Sequence, residues 1–116
     1  MGLLDRLRRN RRGTARAAGR EDEAHLREWT AEHEGVEAYV EPRTAVTETT
    51  MLLVDKDGQW TRRRIAGPAA ARKLARSLTM PVYDVQLMGY PQRMRDHDAR
   101  QRVLRERRRR EELGEP

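Results

Sequence analysis

Three consecutive arginines, Arg62, Arg63 and Arg64, follow Trp60 in "GQWTRRRIAGPAAARKLAR", and Arg72, Lys73 and Arg76 come soon after. Guanidinium groups beside an indole suit polyanion recognition: the cations neutralise phosphates, and the ring offers a base a stacking surface. Strand alternation puts Trp60, Arg62 and Arg64 on one face and Thr61, Arg63 and Ile65 on the other, so an arginine accompanies whichever face meets a core. An unpaired interior charge costs several kcal/mol, on the order of the whole stability of a small domain. The strand is therefore either short in its buried part or placed at a sheet edge, where charged side chains also guard against edge-to-edge aggregation. Two readings follow. Either this is a guarded edge, or Arg62 and Arg64 join Arg72, Lys73 and Arg76 in one positive surface with Trp60 as its aromatic platform. The second nominates those six residues as a nucleic-acid interface.

Other chemistry finds little footing. A nucleophilic mechanism needs a Ser, Cys, Thr or Lys beside a base. The chain has no Cys, and its one Ser, Ser77, lies inside a helical pattern with no elbow motif around it. The eight glycines are scattered, and no Gly-rich phosphate loop occurs. His25 and His33 are eight residues apart on one helical pattern, about 12 Å of rise, too far to share an ion. His97 lies between Asp96 and Asp98, but neighbours at i±1 point in different directions on a helix. Glu32 and Glu34 flank His33 in the same way. No catalytic residue, cofactor or metal site is expected.

The elements that must position the arginines follow from periodicity. "VEAYVE" alternates Val36, Ala38 and Val40 against Glu37, Tyr39 and Glu41, the pattern of a half-buried strand. "AVTETTMLLVD" ends in the most apolar run of the chain, and "DKDG" supplies a turn before "QWTRRRI", which predicts a hairpin with Gly58 at positive φ. "GPAAARKLARSLTMP" reads as a helix started by Pro68, lined by Ala71, Leu74, Ala75 and Leu78, and ended by Pro81. "VYDVQLM" reads as a fourth strand. "EDEAHLREWTAEHEG" predicts a helix with a thin Leu26 and Trp29 stripe, a Glu23–Arg27 pair and a stop at Gly35. After Pro91, "QRMRDHDARQRVLRERRRREEL" predicts a long charged helix whose sparse Met94, Val103, Leu104 and Leu113 cannot bury its far half. The fold class is α+β: a small antiparallel or mixed sheet in the order (α)-β-β-β-α-β-α, with a helix packed on one face. Its expected divisions are a basic flexible tail over residues 1–20, including "GTARAAGR" as a linker, a domain over 21–98 and a charged helical extension over 99–116.

Composition bounds the rest. With 116 residues, 38% charged, 36% hydrophobic and no Phe, the chain holds one small core at most. The net charge of +6 is uneven: residues 1–20 carry +6, 21–34 carry −5, 35–90 carry +2 and 91–116 carry +3. Basic ends of this kind meet nucleic acid or anionic membrane, or serve as solvated tails. Arginine outnumbers lysine 23 to 2, a skew that GC-rich coding produces without any phosphate chemistry. Leu3, Leu4 and Leu7 share a helical face among Arg6, Arg8, Arg9, Arg11 and Arg12, but two turns are short for an interfacial helix, and membrane attachment is not expected. No apolar run reaches the length of a membrane span. The basic residues follow the short apolar N-terminal patch, unlike a signal peptide, which leaves a cytoplasmic setting as the expectation.

Two resemblances add to this reading. "RKLAR" (residues 72–76) resembles the lysine-rich helix motif of double-stranded RNA-binding domains, which also follows a three-stranded sheet. The chain departs from it by adding "PVYDVQLM" after the helix and by lacking the histidine-bearing loop before the last strands. "VEAYVEPRTAVTETTMLLVDKDGQWTRRRIAGP" with "PVYDVQLMGYPQRMRDHD", about residues 36–98, is similar to a family of small actinobacterial proteins, some of which carry a bare oxidoreductase label. That resemblance implies a source and a boundary, and no residue above supports the label. The functional expectation is a non-enzymatic basic module contacting RNA or a ribonucleoprotein surface. The alternatives are a protein-interaction adaptor using the charged terminal helix, or a redox-enzyme accessory protein.

Overall fold

The run Met51, Leu52, Leu53 and Val54 dictates the architecture, because a strand points successive side chains to opposite faces. All four are fully buried, so both faces of the sheet must be covered. Full burial of each such side chain is worth roughly 1.5–3 kcal/mol. The computed structural model describes residues 3–114, with side chains from residue 18 onward. Its elements are α1 (Leu3–Glu32), β1 (Glu37–Glu41), β2 (Thr50–Val54), β3 (Trp60–Arg64), α2 (Pro68–Ser77), β4 (Val82–Asp84), α3 (Val85–Met88) and α4 (Gln92–Glu112). The sheet is mixed, in the order β3-β2-β1-β4. β1 and β3 flank β2 antiparallel, and β4 adds parallel to β1.

One face carries Ala38, Val40, Met51 and Leu53, packed against Leu26 of α1 and Ala71, Leu74 and Ala75 of α2. The other carries Tyr39, Leu52 and Val54, packed against Met94 of α4 with Tyr83 and Val85 alongside. The strand expected to be half-buried is thus buried on both sides: Tyr39 is as covered as Val40 because α4 closes the second face. The arginine-rich β3 occupies the sheet edge, one of the two placements its charge allows.

Two local readings are corrected. "GTARAAGR" is not a linker: α1 runs unbroken through it, and its alanines and arginines are strong helix formers that carry the two glycines along. The Leu3, Leu4 and Leu7 face lies outside the described side chains. "VYDVQLM" is a strand only as far as Asp84, whose carboxylate accepts the Gln86 N–H at 2.7 Å and caps a short helix instead. An aspartate at a strand's end offers the backbone that alternative partner.

The far part of α4 and the two residues after it, 99–114, are exposed throughout. The radius of gyration is 18.3 Å, against about 13 Å for a compact domain of this length, because α1 and α4 extend beyond the core. Among the described residues, no helix is long and apolar enough to cross a membrane.

Two backbone positions make testable demands. Gly58 has φ +86°, and a Cβ there would strike the Arg93 carbonyl and come within 2.9 Å of the His97 Cβ. The β2–β3 turn is therefore glycine-bearing for two reasons, its own φ and the close passage of α4. Gly58→Ala should cost about 2–4 kcal/mol by denaturant unfolding. Thr79 has φ +53° and ends α2 in a Schellman arrangement, with Met80 N–H donating to the Ala75 carbonyl at 3.0 Å. A β-branched residue is strained there, so Thr79→Gly should stabilise the fold by about 1 kcal/mol in the same measurement.

Candidate nucleic-acid interface

Register decides whether the six nominated residues meet. Val54, Leu52 and Thr50 pair with Trp60, Arg62 and Arg64, which places that trio on the face covered by α4. Arg72, Lys73 and Arg76 ride on α2, which covers the opposite face. The expected single plane does not form. Arg64, at the end of β3, is the one member of the strand trio that reaches the surroundings of α2, where it borders a groove together with Lys73.

Carboxylates also approach the strand arginines, closely at Arg62 and loosely at Arg63 and Arg64. Arg62 holds the Glu41 carboxylate with two nitrogens, Nε at 2.5 Å and an Nη at 2.8 Å. Tyr90 Oη also donates to Glu41, as does Thr50 Oγ1 at 2.9 Å. Glu41 is thus a four-bond acceptor joining β1, β2, β3 and the turn before α4. Burial works to raise the Glu41 carboxyl, but the bonds from Arg62, Tyr90 and Thr50, with the Arg62 charge, outweigh it and hold it below the ordinary carboxylate value. The bond to Glu41 raises Arg62, and the same carboxylate raises the Tyr90 hydroxyl.

The Arg62 guanidinium carbon lies 5.2 Å from the Trp60 ring centroid, a cation–π contact. The indole N–H donates to Asp98 of α4 at 2.8 Å. Trp60 therefore has one ring face and its polar edge already engaged. Arg63 points to the other face and approaches Asp22 of α1 at 3.7 Å, and Arg64 approaches Glu48 at 3.7 Å. The acidic end of α1 and the turn after it dock onto the hairpin, since Glu34, two residues past the helix, pairs with Lys56 at 2.8 Å. On the α4 side, Arg93 binds Glu37 at 2.6 Å and donates to the Asp55 and Val54 carbonyls.

Sequence reasoning missed Glu41, Tyr90, Asp98 and Arg93. One signal for Glu41 was available: alternation sets Glu37 and Glu41 on a common strand face, where carboxylates on a covered sheet call for cations from elsewhere in the chain. Among the described residues, Arg72, Lys73 and Arg76 make no ion pair, and the far half of α4 makes one, Arg110–Glu106 at 3.3 Å.

The histidines have structural neighbours. His25 Nε2 meets Thr61 Oγ1 at 2.7 Å, and His33 Nδ1 donates to the Trp29 carbonyl at 2.7 Å while its ring stacks on Trp29. Asp96 accepts from Gln92 and Asp98 from Trp60, so the two carboxylates beside His97 turn to different partners. Among the described residues, no three His, Asp or Glu side chains gather as a metal site. No protein-family model, curated protein or solved structure matches the chain.

Glu41→Gln should cost about 1–2 kcal/mol at neutral pH, a range that allows for the partial exposure of Arg62. Because the folded carboxyl titrates below its ordinary value, its contribution is present above that value and lost as pH falls through the lowered one. The stability gap between wild type and Glu41→Gln should therefore narrow on acidification, read by urea unfolding across the acid range. Tyr90 acts at the other end: its raised hydroxyl contributes below the ordinary tyrosine value and the contribution fades as pH climbs through the raised one.

Proposed function

We propose that this chain is a non-enzymatic module that binds a polyanion, RNA or a ribonucleoprotein surface, through α2 and α4 rather than through β3. One observation carries the reading: carboxylates approach every arginine of β3, whereas Arg72, Lys73 and Arg76 on α2 have no ion pair among the described residues. The exposed end of α4 adds to it, with seven arginines against three glutamates over residues 99–114. Unpaired arginines on solvated helices release counterions when they meet phosphates, and arginine-rich segments serve RNA recognition in this way. The antiparallel β1-β2-β3 meander leading into a basic helix agrees with the order that the "RKLAR" resemblance implies, while β4 and α4 fall outside it. Trp60, Arg62 and Arg64 take a structural part in this reading, since their polar groups are turned to Asp98, Glu41 and Glu48.

The test is fluorescence anisotropy with single-stranded and duplex RNA over a salt series. Changing Arg107, Arg108 and Arg109 to Gln should reduce the salt slope on single strands by about 2, and Arg72→Ala with Arg76→Ala should weaken binding about tenfold or more. Arg62→Ala should lower stability while leaving the slope unchanged. Binding that survives the α2 and α4 changes and disappears with Arg62→Ala, in protein shown to be folded, would return the interface to β3. A single protein captured stoichiometrically through α4, and unaffected by nuclease, would select the adaptor reading instead.

A further inference from the structure

Between α1 and α2, above the end of β3, runs a groove of about 480 Å³. Its origin is steric. α1 runs antiparallel to β3, with His25 beside Thr61 and Asp22 beside Arg63. It also runs alongside α2, with Arg27 reaching Ser77 at 3.3 Å. Each helix lends the groove a small residue: Gly19 of α1, where a Cβ would touch nothing, and Ala70 of α2. The gap therefore stays open down to an apolar floor of Leu26, Ile65 and Leu74. Around it stand four cations and one carboxylate: Arg20 and Lys73 have no ion pair among the described residues, Arg64 is only loosely approached by Glu48, and Arg27 is paired with Glu23 at 2.9 Å, which leaves the rim net positive.

We propose that this groove docks an acidic amphipathic helix of a partner protein. Complementarity selects the occupant. The apolar floor asks for aliphatic side chains, which a nucleic acid backbone lacks, and the cationic rim asks for carboxylates beside them. A second copy of this chain is a poor fit, because its exposed α4 is itself arginine-rich and would meet the rim with like charge. From Gly19 to Arg27 the groove follows about 12 Å of α1, room for two turns of a docked helix presenting apolar residues at i, i+3, i+4 and i+7. This site meets the polyanion surface only at Lys73. Arg72 and Arg76 do not line the groove, and Lys73 stands at the border of both.

The experiment uses the full chain and a fluorescein-labelled designed peptide with leucines at i, i+3, i+4 and i+7 and glutamates on its other faces. Controls are a scramble of the same composition and a version with lysine for glutamate. The acidic amphipathic peptide should bind, shifting backbone amide resonances at Ile65, Ala66, Ala70 and Leu74, and the two controls should bind about tenfold more weakly or not at all. Ala70→Trp fills the groove from a partly exposed helix position, and Lys73→Glu reverses its rim; each should weaken the peptide about tenfold. Arg72→Ala with Arg76→Ala should leave the peptide affinity within about twofold while reducing RNA binding, so this proposal and the polyanion reading fail separately. Equal binding of the scramble, an unaltered affinity in both Ala70→Trp and Lys73→Glu, shifts confined to α4, or loss of the peptide with Arg72 and Arg76 would each overturn the docking site.

Discussion

Everything in this fold answers to the need to cover β2 on both sides. Met51 and Leu53 point one way, Leu52 and Val54 the other, and none touches water. A small chain with few large apolar residues meets that need with three helices: α1 and α2 above one face, and the first turns of α4 below the other. Once that arrangement is set, and apart from Arg64 at the strand's end, which reaches the groove bordered by Lys73, charge placed on α2 and charge placed on the α4-covered face of β3 cannot share a surface. The sheet itself lies between them.

The edge strand shows how a charged segment is kept in a folded domain without a polyanion. Each arginine of β3 is approached by a carboxylate from a different part of the chain: Glu41 from β1, Asp22 from α1 and Glu48 from the β1–β2 connection. Exposed pairs of this kind contribute little each. Glu41 stands apart because its carboxylate is mostly covered and accepts from three side chains at once. It ties the edge strand to the turn that launches α4, which Arg93 fastens to the end of β2 and to Glu37. The charge of the central domain is thus largely paired internally, and what is left for a ligand lies on α2, on the solvated end of α4 and around the groove between α1 and α2.

Two kinds of surface result, with different chemistry. The far half of α4 has no stripe that could bury it, and a helix polar on all sides gains little from its own domain. Its arginines face solvent with little local neutralisation. The channel between α1 and α2 is the reverse: apolar at its base, basic only at its margins, and shaped by small residues on both helices. A flexible anionic backbone suits the first, and a structured acidic helix suits the second.

Local pattern alone determined a good deal of this protein. Alternation identified β1 and the hairpin, the "DKDG" turn located Gly58, and Pro68 and Pro91 marked helix starts. The arginine triplet restricted its strand to a sheet edge or to a short buried stretch, and the sparse apolar residues of the last helix left its far half unburied. Those features depend on residues a few positions apart, whose physics is complete before the chain folds. Tertiary structure alone decided that α4 would bury Tyr39, and that Arg62 would be held by Glu41 and Trp60 by Asp98, 21 and 38 residues away. Such pairings are set by strand register and by which face each helix covers. A one-residue change in register would turn every β3 side chain to the opposite face, so the destination of each guanidinium is a property of the assembled sheet and not of the segment that carries it.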